Sequence, residues 1–204
     1  MMYQKLLDFE RVFGCHSNPS EPTLPNQKVR TLRVKLLEEE IHEYLQGEEN
    51  NDLVNIAQEL ADICYIAMGT AITYGIPQQA LEPMIFAGLP IRGEPQLLDS
   101  EFRATRVAVM KDYWDNYLLA EQSNNIALIS EALDHVLTMV AGTSYAYGIP
   151  LYEVFLEVHR ANMSKALPDG TVKRREDGKV LKSENFKPAD VKSVLKKGRL
   201  NITP

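Results

Sequence analysis

The 204-residue chain reads as an all-α protein in which one helical hairpin occurs twice. Three observations carry that expectation. Apolar residues recur at three- and four-residue intervals over most of the length. Strand-type alternation is scarce outside a short C-terminal stretch. And residues 28–77 can be laid on 101–150 without a gap, 15 of the 50 positions being identical. The closing Tyr-Gly-Ile-Pro is the same in both copies, at 74–77 and 147–150. Two such hairpins predict a four-helix-bundle core around a pseudo-two-fold axis, the arrangement expected when a homodimer of hairpins becomes one chain.

Taken in order, residues 1–14 form an amphipathic segment with Leu6, Leu7, Phe9 and Val12 among polar residues, and Gly14 ends it. Three prolines make 15–25 a loop. A helix begins at Asn26 with Leu32, Leu36, Leu37, Ile41 and Tyr44 on one stripe, and Gly47 with the polar run after it is expected to break it. A second helix runs from about Leu53 to Tyr74 and stops at Gly75-Ile76-Pro77. A short helix at 78–86 and a loop at 87–98 follow, then helices at about 101–121, 125–147 and 151–164. Residues 168–186 are polar and basic, with turn signals suited to a short hairpin, and a last helix is expected at about 188–197. The whole chain, 1–204, is read as one domain: a first repeat at about 28–77, a diverged second repeat at about 101–150, and a C-terminal tail at 151–204.

Composition narrows the function. With 22 basic and 28 acidic residues the net charge is −6, a poor match to nucleic acid or an anionic membrane. Apolar runs fall short of the 18–20 residues of a membrane span, and the first residues lack the apolar core of a signal peptide. Cys15 and Cys64 stand far apart and outside any CxxC pair, so no zinc site is indicated; Cys64 reads as a small core residue. A cytoplasmic location is the expectation.

Function shows where the copies differ. The first carries Glu40 and Glu43 on one helix and Glu59 and Asp62 on the next, each pair spaced i,i+3 and therefore on one helix face. Carboxylates clustered beside a buried stripe repel one another unless cations neutralise them, and hard divalent ions take oxygen ligands, Mg²⁺ or Mn²⁺ being the natural fit. The second copy is an internal control. Its matching positions are Tyr113, Asn116, Ala132 and His135, so all four acids are lost together while the framework persists. Glu38 and Glu48, in contrast, read as solvated helix charges. Arg33, kept as Arg106, suggests a structural ion pair. A ferritin-like di-iron site would need two Glu-x-x-His motifs, and only Glu39–His42 has that spacing.

ExxE (Glu40–Glu43) followed by ExxD (Glu59–Asp62), with LLEEEIHEYL before and ELADICYI after, resembles the all-α nucleoside triphosphate pyrophosphohydrolase superfamily. That group includes MazG proteins, dimeric dUTPases and phosphoribosyl-ATP pyrophosphohydrolase. The later run EVFLEVHRANMSKALPDGTVKRREDGKVLK resembles the C-terminal signature of the MazG-like and phosphoribosyl-ATP pyrophosphohydrolase-like branch, although here an extra hairpin precedes it. The resemblance implies hydrolysis of a nucleoside triphosphate, expected to be a dNTP, to the monophosphate and pyrophosphate. It implies Mg²⁺ on Glu40, Glu43, Glu59 and Asp62, with Glu39 as general base or as a partner of the ligands. Asn162, Lys165, Arg175 and Lys182 would contact nucleotide. Phosphoribosyl-ATP or dUTP hydrolysis, or a non-catalytic nucleotide-binding bundle, are the alternatives. A homodimer of fused pairs stays open.

Overall fold

The computed structural model describes residues 2–14, 19–77 and 95–198. Among these are seven helices: α1 (Met2–Phe13), α2 (Gln27–Asn50), α3 (Leu53–Thr73), α4 (Ser100–Ser123), α5 (Ile126–Ala146), α6 (Leu151–Met163) and α7 (Val191–Gly198). The β-structure among the described residues is a single antiparallel bridge, Arg174 with Val180, inside the tail hairpin. The all-α expectation holds, with helix ends within a few residues of those read from periodicity. The helix expected at 78–86, most of the loop after it, and Cys15 lie outside the described residues.

The hairpins α2–α3 and α4–α5 pack through α3 against α5 and α2 against α4. Helix α3 is the centre: α2, α5, α6, α1 and α7 all lie against it, and from Ala67 to Tyr74 every residue is buried. Leu37, Ile56, Leu60 and Ile63 are fully buried in this core, each worth roughly 1.5–3 kcal/mol of apolar burial. Cys64 is also fully buried, and burial pushes its thiol up to about 12. Helix α5 has the length and apolarity of a membrane span, yet it packs on α3 and α4 as a bundle helix does.

The repeat is repeated in detail, always at an offset of 73. Asn26 and Asp99 cap the first helices, their side chains accepting from Val29 and Phe102 amides. Asn51 and Asn124 end those helices at φ 57° and 55°, the left-handed conformation that Asn tolerates. Asp52 and Asn125 then cap the second helices. Gly75 and Gly148 both sit at φ 66°, and at Gly75 a Cβ would lie 2.5 Å from the Glu21 carbonyl, which explains why both YGIP turns need glycine. The symmetry reaches beyond the aligned segments: Thr23 donates to the Tyr74 carbonyl at 2.8 Å and Gln96 to the Tyr147 carbonyl at 3.0 Å.

Across the pseudo-dyad the contacts are reciprocal, as in an isologous dimer interface. Arg30 of the first copy pairs with Glu121 of the second at 2.8 Å, and Arg103 of the second pairs with Glu48 of the first at 3.1 Å. Tyr44 and Tyr147 donate to Glu48, both at 2.8 Å; Tyr74 and Tyr117 donate to Glu121 at 2.7 and 3.0 Å. Burial and the adjacent carboxylates push all four phenols up, which keeps them protonated as donors. Glu48 is therefore not a solvated charge. It is 2% exposed and forms half of the reciprocal Arg–Glu link between the copies.

One other expectation changes. Gly47 does not break its helix; α2 runs through it to Asn50. A Cβ there would collide with the Asn55 side chain and stand 3.0 Å from Ile56 Cγ1, so glycine serves the close approach of α2 to α3. Arg33 is buried, with its guanidinium bonding Thr70 Oγ1 at 2.9 Å and the Ile66 carbonyl, so what it does is tie α2 to α3. Arg106 takes a different role, over the Phe102 ring at 5.0 Å.

Candidate active site

The tight return from α2 into α3 sets the geometry. The Asp52 cap fixes the start of α3, and the glycine contact at 47 brings the helices together, so Glu59, two turns into α3, meets Glu40 and Glu43 of α2. Carboxylate oxygens of these three residues lie within 4.8 Å of one another. Glu59 is 1% exposed. Its Oε1 accepts from Asn55 Nδ2 at 3.2 Å and from Gln58 Nε2 at 3.4 Å, while its buried Oε2 has no hydrogen-bond partner. Asp62, one turn further along α3, borders the triad, and its charge acts on Glu40 and Glu59.

The electrostatics follow. Burial, with the neighbouring negative charges, pushes Glu40 up to about 8 and Glu59 up to about 9. Asp62 is raised to about 6, first by burial, and held below its neighbours by Lys165, Lys182 and Lys179. An all-oxygen cluster with an orphaned buried oxygen, whose burial and mutual repulsion raise its pKa values, suits a hard divalent cation. An open concavity of about 380 Å³ adjoins it, lined by Glu38, Glu39, His42, Glu43 and Gln46.

The chain's C-terminal part supplies the opposing charge. Lys165 follows α6, half-buried, and its ammonium acts on Asp62 and Glu40; burial pulls its pKa down. Asn162 sits one turn before it, at the end of α6. In the tail, Lys182 lies over the Phe186 ring at 4.9 Å, and its charge reaches Asp62. Arg175 is held by Asp177 at 2.6 Å and stands 3.7 Å from Glu39. Lys179 forms an ion pair with Glu39. Glu39 thus faces the tail, one residue round the helix from the triad.

In the second copy the corresponding place is filled by an aromatic pair. Tyr113 and His135 stack at 5.1 Å with 23° between their planes, where the first copy has Glu40 and Asp62. Trp114 is half-buried against the core and leans on Tyr117 at 5.8 Å.

Sequence reasoning missed several partners. Asn55 and Gln58 bond Glu59, and the i,i+4 spacing of Asn55 was the available signal. Asp177 was not singled out, although an Arg-x-Asp-Gly turn is a local pairing pattern. Nor was the buried contact of Tyr65 with His159 Nδ1 at 3.1 Å, which joins α3 to α6 just before Asn162; it pairs positions 94 residues apart and leaves no local trace.

A duplicated helical hairpin with one carboxylate triad, opposed by lysines, resembles the all-α nucleoside triphosphate pyrophosphohydrolases. Residues 6–85 match the phosphoribosyl-ATP pyrophosphohydrolase family, so this part of the chain is similar to that family. The match covers α1 and the first hairpin, the copy that keeps the acids. An uncharacterised protein of Acanthamoeba polyphaga mimivirus is 28% identical over 179 residues, covering 80% of this chain and 70% of that protein. The family match supports pyrophosphohydrolase activity on a small nucleotide-like substrate, and enzymes of the MazG-like superfamily are generally dependent on divalent metal.

Proposed function

We propose that the chain hydrolyses a nucleoside triphosphate, a dNTP foremost, to the monophosphate and pyrophosphate with Mg²⁺, or Mn²⁺ in its place. The observation that carries this is the triad of Glu40, Glu43 and Glu59, with its buried unpartnered oxygen, opposed by Lys165. Glu40, Glu43, Glu59 and Asp62 would hold the ion. Bound there, a divalent ion supplies positive charge against the phosphates and polarises the attacking water. The protein's own part is orientation and charge. Lys165 and Lys182 offer ammonium groups to the phosphate oxygens, and Asn162 offers an amide beside them. The burial of Glu59 keeps bulk water from one side of the cluster. Arg175 is available to phosphate once it leaves Asp177.

A second reading has its own support: the matching family acts on phosphoribosyl-ATP, so that compound belongs beside the dNTPs as a substrate. The test is pyrophosphate release from canonical and modified NTPs and dNTPs and from phosphoribosyl-ATP, with Mg²⁺, Mn²⁺ or EDTA, using wild type and Glu40→Gln. Metal-dependent release that collapses in the variant is expected, and the panel ranks substrates. No turnover of any compound by folded protein overturns the reading in favour of a binding bundle.

A further inference from the structure

We propose that Glu39 is a positioning residue: it anchors the tail hairpin through Arg175 and Lys179, so that the tail lysines stand over the acidic cluster. The kinetic part rests on the pyrophosphohydrolase reading; the structural part does not.

The hairpin is well formed in itself. Arg175 N donates to the Lys179 carbonyl at 2.8 Å, Gly178 N to the Arg175 carbonyl at 2.9 Å, and Leu181 N to the Lys173 carbonyl at 2.8 Å. Its apolar base is small: Val172 and Val180 are half-buried against the core, while Lys173, Arg174, Arg175, Glu176, Leu181 and Lys182 are all exposed. Its placement therefore depends on a few points. Arg174 bonds the Phe13 carbonyl at the end of α1. Gly178, at φ 101°, sits against α2, where an added Cβ would stand 3.5 Å from Leu32. Arg175 and Lys179 reach Glu39. Leu32 and Glu39 are seven residues apart, two turns along one face of α2, so they form a single docking line for the hairpin. Lys179 and Lys182, three residues further on, are the tail cations whose charges reach Asp62.

The second copy supports separating Glu39 from the metal quartet. At the position equivalent to Glu39 it keeps an acid, Asp112, which is exposed, although every one of the four clustered carboxylates beside it has been replaced. An acid at this register persists without a metal cluster. In the first copy the tail has engaged it.

The experiment combines amide hydrogen exchange of the nucleotide-free full chain with steady-state kinetics on the best substrate of the panel. With Glu39→Gln, exchange at the Arg175, Gly178 and Leu181 amides should rise about three- to tenfold, the loss of two partly exposed ion pairs. KM should rise by a similar factor with kcat within about twofold. The charge swap Glu39→Lys with Lys179→Glu should restore most of the protection. Glu49→Gln, at an exposed acid further along α2 and outside the site, should change neither. A hundredfold fall in kcat with unchanged exchange would make Glu39 a catalytic base and overturn the proposal. So would unchanged exchange and unchanged KM. If the wild type turns over nothing, the pyrophosphohydrolase reading fails, and the exchange data still decide the anchor.

Discussion

The two hairpins share their capping residues, their YGIP turns and both halves of a reciprocal Arg–Glu link, but only one has a charged site. In the first, α2 and α3 converge on Glu40, Glu43, Glu59 and Asp62; in the second, the same converging helices enclose Tyr113, Asn116, Ala132 and His135. The framework tolerates both fillings because it is held elsewhere, at Glu48 and Glu121 on the pseudo-dyad. Burying several carboxylates without partners costs stability, whereas a stacked aromatic pair does not. One copy therefore carries the strain and the other can be packed conventionally.

That division can be broken at the shared framework, where the largest effects belong. Glu48→Ala and Glu121→Ala each leave a guanidinium and two buried phenols without their acceptor, and each should destabilise the fold by about 3–5 kcal/mol. The costs should not be equal. The Arg30 side chain is 8% exposed and Arg103 is 15% exposed, so Arg103 recovers more water when its partner is lost, and Glu121→Ala should be the worse of the two. Urea denaturation of the two variants measures both numbers. Equal and small losses would show that the reciprocal pairs are not what joins the copies.

The next effect falls on the site and should spare the framework. Glu59→Gln keeps the shape of the side chain but removes a carboxylate from the proposed ion site, and kcat/KM should fall at least on the order of a hundredfold, since the lost charge stabilisation is worth several kcal/mol. The thermal shift on adding Mg²⁺ should vanish with it. Metal-free stability at neutral pH should change by less than about 1 kcal/mol, because burial already holds that carboxyl protonated up to about pH 9. His135→Ala, on the equivalent face of the second copy, should leave activity within about twofold. Comparable losses from both would mean that the aromatic pair belongs to the working site.

How far these features could be read from sequence depends on whether they are local. Helix periodicity, caps and the ExxE and ExxD spacings are properties of neighbouring residues, and the helices and the carboxylate cluster lie where those patterns put them. The duplication carried more information than was drawn from it: Arg30, Tyr44, Glu48, Asn51 and Tyr74 are all repeated at 103, 117, 121, 124 and 147, and together they are the buried link across the dyad. Glu48 was read as solvated because a lone Glu in a polar run looks so; its repetition was the sign of burial. Gly47 was read as a breaker because the close approach of Asn55 and Ile56 is a tertiary fact. The partners of Glu39 lie 136 and 140 residues away, and no spacing rule links such positions.

The smallest effect concerns an asymmetry outside the site. Tyr65 of α3 bonds His159 of α6, while the equivalent of Tyr65 in the second copy is Thr138. Burial, with Lys5 nearby, holds the His159 imidazole below its ordinary value, against a weaker opposing pull from Asp8. A histidine whose folded pKa is depressed binds fewer protons in the native state than in the unfolded chain, so stability rises with pH through that window and is lost as pH falls below about 6.5. Wild type should therefore lose stability between neutral pH and the depressed folded value, by a slope that His159→Gln removes. The amide of Gln can still meet the Tyr65 hydroxyl, so the variant tests titration rather than packing. Denaturation midpoints at pH 7.5 and 5.5 for both proteins give the comparison. Because α6 leads directly into Asn162 and Lys165, the same acid shift should loosen substrate binding in wild type before it unfolds the chain, and a KM that is flat over this range in wild type would show that α6 stays seated when His159 is protonated.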